Sequence, residues 1–157
     1  MTRRRFLKAA IGATAAAVAA PAVWALVMRQ GDESGPPAIA YGRERCEQCG
    51  MIIGDARFAA AARQGSTIRR FDDIGCLIRH SGAVLASGRA RGFVHDADSE
   101  TWIDAPHAWY VRTPAIRTPM NYGIAAYADN AAARRAHPQA PALAFEDLLA
   151  ALAKEQT

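Results

Sequence analysis

Cys46-Glu47-Gln48-Cys49-Gly50-Met51 sets two thiols and a thioether within six residues. Soft sulfur donors of this kind select Cu(I), zinc or an iron–sulfur cluster over hard cations. The thioether moves the balance toward Cu(I), because zinc takes S, N and O donors but rarely a thioether. A bare CxxC is also compatible with a disulfide or a redox centre, so Cys46 reads as a ligand, a disulfide partner or a regulator of Cys49. Gly50 permits backbone angles that turn Cys49 and Met51 toward one point. Met51 is equally readable as an adaptable filler of a core.

Further donors lie downstream. Cys76 and His80 are four apart on a predicted helix and so project from one face. With Cys46 and Cys49 they would complete a structural zinc site of the Cys3His type. His95 and His107 offer imidazoles, although each sits where a strand end or loop residue without metal is expected. Asp72 and Asp73 form a carboxylate pair at a predicted helix start, where N-capping explains them better than acid–base chemistry. A thiol–disulfide oxidoreductase places CxxC at a helix N-terminus, where the dipole lowers a thiol pKa. Here Gly50-Met51-Ile52-Ile53-Gly54 follows, which is a poor helix start. No Gly-rich phosphate loop or Ser/His/Asp set stands out.

The compartment decides what such thiols can do. Residues 1–30 read as an export leader: the basic Arg3, Arg4, Arg5 and Lys8, then an Ala-rich apolar stretch from Ala9 to Met28. Thr2-Arg3-Arg4-Arg5-Phe6-Leu7-Lys8 resembles the twin-arginine signal, S/T-R-R-x-F-L-K, whose pathway exports folded proteins. Cleavage is expected near Ala20-Pro21-Ala22 or Val23-Trp24-Ala25. The alternative is retention as an N-terminal anchor, the only route here to membrane association, since about twenty apolar residues suffice to span a bilayer. No Cys precedes Cys46, so the chain shows no lipobox. Either way the rest is expected outside the cytoplasm, in an oxidising compartment where Cys46 and Cys49 are prone to pair.

The leader also accounts for the charge. The chain has 19 basic and 15 acidic residues and a net charge of +4. Removing Arg3, Arg4, Arg5, Lys8 and Arg29, five of the nineteen, leaves 14 basic against 15 acidic. A near-neutral mature part gives no support to nucleic-acid binding, which requires a basic patch on the folded domain.

A breaker-rich linker spans 31–38, and one domain is expected over 39–154. Phe58 to Arg63 and Thr67 to Phe71 read as a hairpin around Gln64-Gly65-Ser66, despite the poor strand propensity of the Ala run. A helix follows Asp73, with Ser81-Gly82 as its stop. Arg91 to His95 and Ala108 to Arg112 read as strands, with a turn at Asp96–Glu100 between them. A second unit starts at Thr118, with a strand over Tyr122 to Tyr127, a helix capped by Asp129 or Asn130, a short strand from Ala142 and a terminal helix over Phe145 to Lys154. Interspersed helices and hairpin-linked strands predict an α+β fold with antiparallel pairing, in two similar halves of about 39–112 and 118–154.

The motifs taken together resemble the NosL family. The residues that carry the resemblance are Cys46 to Ile53, Arg57-Phe58, Phe71-Asp72-Asp73-Ile74-Gly75-Cys76, Val94-His95-Asp96, Trp102 to Ala105, Ala108 to Val111 and Thr118-Pro119-Met120, in order from about Tyr41 to Leu149. The resemblance implies a periplasmic copper chaperone that serves assembly of the copper sites of nitrous oxide reductase, in denitrification. It also implies two ββαβ units, no enzymatic activity, and a metal site of Cys49, Met51 and Met120, with Cys46 as a further candidate. Pro119 restricts the backbone beside Met120. Family members are commonly lipoproteins, whereas this leader is of the twin-arginine type. A chain of this kind outside a nitrous oxide reductase system would feed another exported copper enzyme.

Overall fold

Helix and strand starts follow the local chemistry closely. In the computed structural model, which describes residues 35–155, β1 (Ala60–Gln64) and β2 (Thr67–Phe71) form the expected hairpin, with Gly65 at φ 57 in the turn. Helix α1 (Ile74–Ala86) starts at Asp73, whose side chain accepts the Gly75 N–H. Strands β3 (Arg91–His95) and β4 (Trp102–Asp104), a 3-10 turn (Ala105–His107) and strand β5 (Trp109–Arg112) follow. The chain then forms β6 (Ile124–Tyr127), helix α2 (Asn130–Ala136) capped by Asp129, β7 (Ala142–Leu143) and helix α3 (Phe145–Lys154).

The two sheets repeat one plan. The first has the order β2-β1-β3-β4 and the second β6-β5-β7, with every named pairing antiparallel. In each, the first strand of a ββαβ unit lies between the second and the third. The expected α+β fold of two such units is therefore the observed one. Strand β5 pairs with β6 and β7, so sheet membership assigns Trp109–Arg112 to the second unit rather than to the end of the first. Asp96 joins the units, since its Oδ2 accepts the Ala128 N–H at 2.8 Å while Ala97 N–H donates to Ala126 O at 2.8 Å.

Three local expectations are corrected. The helix does not stop at Ser81-Gly82. Both residues are buried, and a Cβ on Gly82 would lie 3.1 Å from Leu149 of α3. These small residues let two helices approach rather than end one; the actual stop is Gly88, at φ 69, where its N–H returns to Leu85 O. Strand β4 lies where no strand was expected, because three residues are too few to show a period. Asp72 does not cap the helix, a position that Asp73 alone occupies. The Ala run does form a strand. Ala60, Ala61 and Ala62 sit in a strand flanked on both sides and are at most 3% exposed, so tertiary packing overrides propensity. One buried cluster unites Phe71, Ile74, Cys76, Leu77 and Val94 with Tyr110, Ile124, Phe145 and Leu148.

Candidate metal centre

The loop Cys46–Met51 is a closed knuckle. Cys46 N–H donates to Met51 O at 2.8 Å, and Gly50 N–H to Cys46 O at 2.9 Å. Gly50 sits at φ 77, the left-handed region that favours glycine. Glu47 N–H donates to Arg70 O at 2.9 Å, which fastens the knuckle to β2. No helix follows the CxxC, so the structural premise of the oxidoreductase reading is absent. Neither Cys46, Cys49 nor Cys76 is in a disulfide.

Beta strand β2 and helix α1 bring the remaining donors to the knuckle. Asp72 directly follows β2, and Cys76 lies in the first turn of α1, where the helix dipole favours negative charge. One ligand atom from each of Cys46, Cys49, Asp72 and Cys76 lies within 4.8 Å of all the others. A tetrahedral zinc with Zn–S bonds of about 2.3 Å needs ligand atoms about 3.7 Å apart, so a small contraction would bring these four to bonding distance. Asp72 is 1% exposed. Its Oδ1 accepts the Cys49 thiol at 3.4 Å, whereas its buried Oδ2 has no hydrogen-bond partner among the described residues. A carboxylate oxygen left so is costly, and a cation would satisfy it.

The thiols differ in their readiness to ionise. The Cys76 thiol hydrogen-bonds to Cys46 and lowers it to about 6, against the opposing effect of burial. Cys49 is raised to about 11, chiefly by burial. Cys76 is raised strongly, first because its proton serves Cys46 and then by burial. Of the three thiols, Cys46 is therefore the one shifted toward the thiolate, while Cys49 and Cys76 are shifted toward the thiol. Cys46 and Cys76 are buried, and Cys49 is the partly exposed one.

Met51 and Met120 are not core fillers. They are 45% and 37% exposed and make up two of the four exposed large hydrophobic residues among the described ones, with Tyr41 and Ile52. Met120 lies in the β5–β6 loop, and its N–H donates to Asp73 Oδ2 at 3.0 Å. Asp72 touches Cys49, and its neighbour holds the backbone of Met120.

The histidines stand apart from the cluster. His80 is exposed and its Nδ1 lies 3.0 Å from Ser81 Oγ, so the alternative Cys3His set is not assembled, and Asp72 is the fourth member of the cluster instead. His95 is 4% exposed, lies 3.6 Å centroid to centroid from Trp102, and its Nδ1–H donates to Ala59 O at 3.0 Å. Burial lowers its pKa, as for a packed neutral imidazole. His107 is on the surface beside Asp104. The sequence signal for Asp72 was available: of two adjacent carboxylates only one can be an N-cap, and the other needs a different partner. The leader, the cleavage sites and the first part of the linker lie outside the described residues.

Comparison with known proteins agrees with the motif order. No curated protein matches the chain at a significant level. The crystal structure of the copper chaperone NosL from Shewanella denitrificans superposes with a TM-score of 0.57 at 18% identity, covering 71% of this chain and 96% of that one. It is a likeness of fold. The sequence model of the NosL family matches residues 38–139, from the segment before the knuckle through the first unit and the second as far as the loop after α2, short of β7, and on that match the chain belongs to the NosL family.

Proposed function

We propose that the chain is an exported Cu(I) chaperone, a carrier and not an enzyme, which hands copper to an extracytoplasmic copper enzyme such as nitrous oxide reductase. The Cys49 thiolate anchors the ion, Met51 and Met120 supply thioethers, and Cys46 stands behind as a further thiolate. The observation that carries this reading is the exposure of both methionines, together with Cys49 being the one cysteine that is not buried. Large apolar side chains are usually withdrawn from water, and soft ligation gives these two a reason to face it. A low-coordinate, exposed site lets a partner's ligand attack before the donor set lets go. Export by the twin-arginine route and a periplasmic location follow from the leader. The folded chaperone spans about 39–154, after the leader and linker. The solved relative's description as a copper chaperone agrees with this reading.

Met51→Leu and Met120→Leu test the site, being near volume-matched swaps that leave folding almost intact. Anaerobic Cu(I) titration of the reduced protein against a chromophoric chelator should show weaker binding in each, and unchanged affinity in both would sink the thioether site. Proton release gives a second check. Cys49 is protonated at neutral pH, so binding expels its proton and affinity falls about tenfold for each unit of pH lost between 8 and 6. A flat profile would exclude Cys49 as the anchor. Below about 6 Cys46 also protonates, and a steeper slope there identifies it as a second thiolate ligand.

A second reading is favoured by one observation, the four-ligand cluster of Cys46, Cys49, Asp72 and Cys76 with its orphaned carboxylate oxygen. In that reading these residues hold a structural zinc ion, with Cys76 required.

A further inference from the structure

The loop that carries Met120 is docked on the start of α1 by more than one contact. Asp73 Oδ1 accepts the Gly75 N–H at 2.8 Å, and its Oδ2 accepts the Met120 N–H at 3.0 Å. The Thr118 side chain also hydrogen-bonds to Asp73. Within the loop, Asn121 N–H donates to Thr118 O at 2.9 Å and Gly123 N–H to Thr118 Oγ1 at 3.2 Å. The Tyr122 ring lies over Gly75, so close that a Cβ there would meet its Cγ at 2.1 Å.

An N-cap needs only one acceptor oxygen, and Ser, Thr or Asn would serve. Asp73 has two, and the second reaches a residue 47 positions away. It is 0% exposed, and a buried carboxylate is tolerated only where hydrogen bonds compensate it. The second oxygen is therefore committed to the Met120 loop. The preceding residue, Asp72, accepts the Cys49 thiol.

We infer that Asp73 is the positioning residue for Met120: it pins the Met120 backbone to the start of α1, next to the carboxylate that meets Cys49, and so sets the spacing between the two halves of the copper site. The inference rests on Met120 being a copper ligand. Asp73 does not touch the ion; it removes the ordering of the loop from the cost of binding, as groups outside the ligand shell do when they orient ligands.

The test is a double-mutant cycle on the full chain. Parent, Asp73→Ser, Met120→Leu and the double variant are titrated anaerobically with Cu(I) against a chromophoric chelator, with thermal unfolding as the check on folding. Ser keeps a cap for Gly75 and gives up the tether. Asp73→Ser is expected to weaken Cu(I) binding about tenfold or more, the usual scale for a change outside the ligand shell. In the Met120→Leu background it should weaken it no further, because the group it aims is gone. Equal losses in both backgrounds, or no loss in Asp73→Ser, overturn the inference while leaving the thioether site standing. A silent Met120→Leu overturns the ligand reading itself and the inference with it. Asp73→Asn, which keeps one carbonyl oxygen for Gly75 and turns an NH2 toward Met120, carries the same expectations if Asp73→Ser does not fold.

Discussion

Cys49→Ser is expected to lower Cu(I) affinity by more than about a hundredfold, beyond the 10- to 100-fold range of changes outside the ligand shell, and to leave the fold intact. Ser is close in volume but offers a hard hydroxyl where Cu(I) selects a soft thiolate. The fold is spared because Cys49 is only partly buried and packs at the edge of the core. Chelator competition measures the affinity, and far-UV circular dichroism with thermal unfolding measures the fold. Affinity retained within tenfold would remove Cys49 as the anchor. Cys76→Ser makes the informative contrast. Cys76 is 0% exposed and inside the main core cluster, so its replacement should lower stability and leave Cu(I) binding less affected than Cys49→Ser. Tight binding of one zinc equivalent, lost in Cys76→Ser, would instead favour the structural-zinc reading.

Gly75→Ala is expected to destabilise the protein, against the ordinary helix preference that favours Ala over Gly by about 1 kcal/mol. The new Cβ would stand 2.1 Å, 2.2 Å and 2.7 Å from three atoms of the Tyr122 ring. A ring cannot absorb that overlap by rotating about its own axis, so it must leave the face of α1. Overpacking of this kind costs typically about 1–3 kcal/mol. At about 2 kcal/mol, the Tm of a domain of this size should fall by about 6–10 °C. Because Tyr122 is two residues from Met120, the same substitution should also weaken Cu(I) binding. Gly75→Ala combined with Tyr122→Ala removes the collision and should cost less than the sum of the single changes. An unchanged or raised Tm in Gly75→Ala would show that Tyr122 does not rest on the helix start.

Much of the fold was legible because its signals are local. The hairpin around Gly65, a helix start at Asp129 or Asn130 and the terminal helix each declare themselves within a few residues. Ser81-Gly82 misled for the converse reason. As local chemistry the pair reads as a stop, and only the approach of Leu149, 67 residues on from Gly82, gives it its packing role. Likewise Ala60 to Ala62 form a strand because β2 and β3 flank them, which no window on the Ala run contains.

The sequence by itself determined the chemistry and the plan. Two thiols and a thioether in the knuckle set the softness of the site, and the order of motifs along the chain set the family and the two ββαβ units. Tertiary structure decided which of the candidate side chains meet. It left His80 in solvent, put Asp72 beside Cys49 across 23 positions, and tied Met120 to Asp73 across 47. Those choices depend on how β2, α1 and the β5–β6 loop meet, and spacing along a chain carries no record of contacts between segments so far apart.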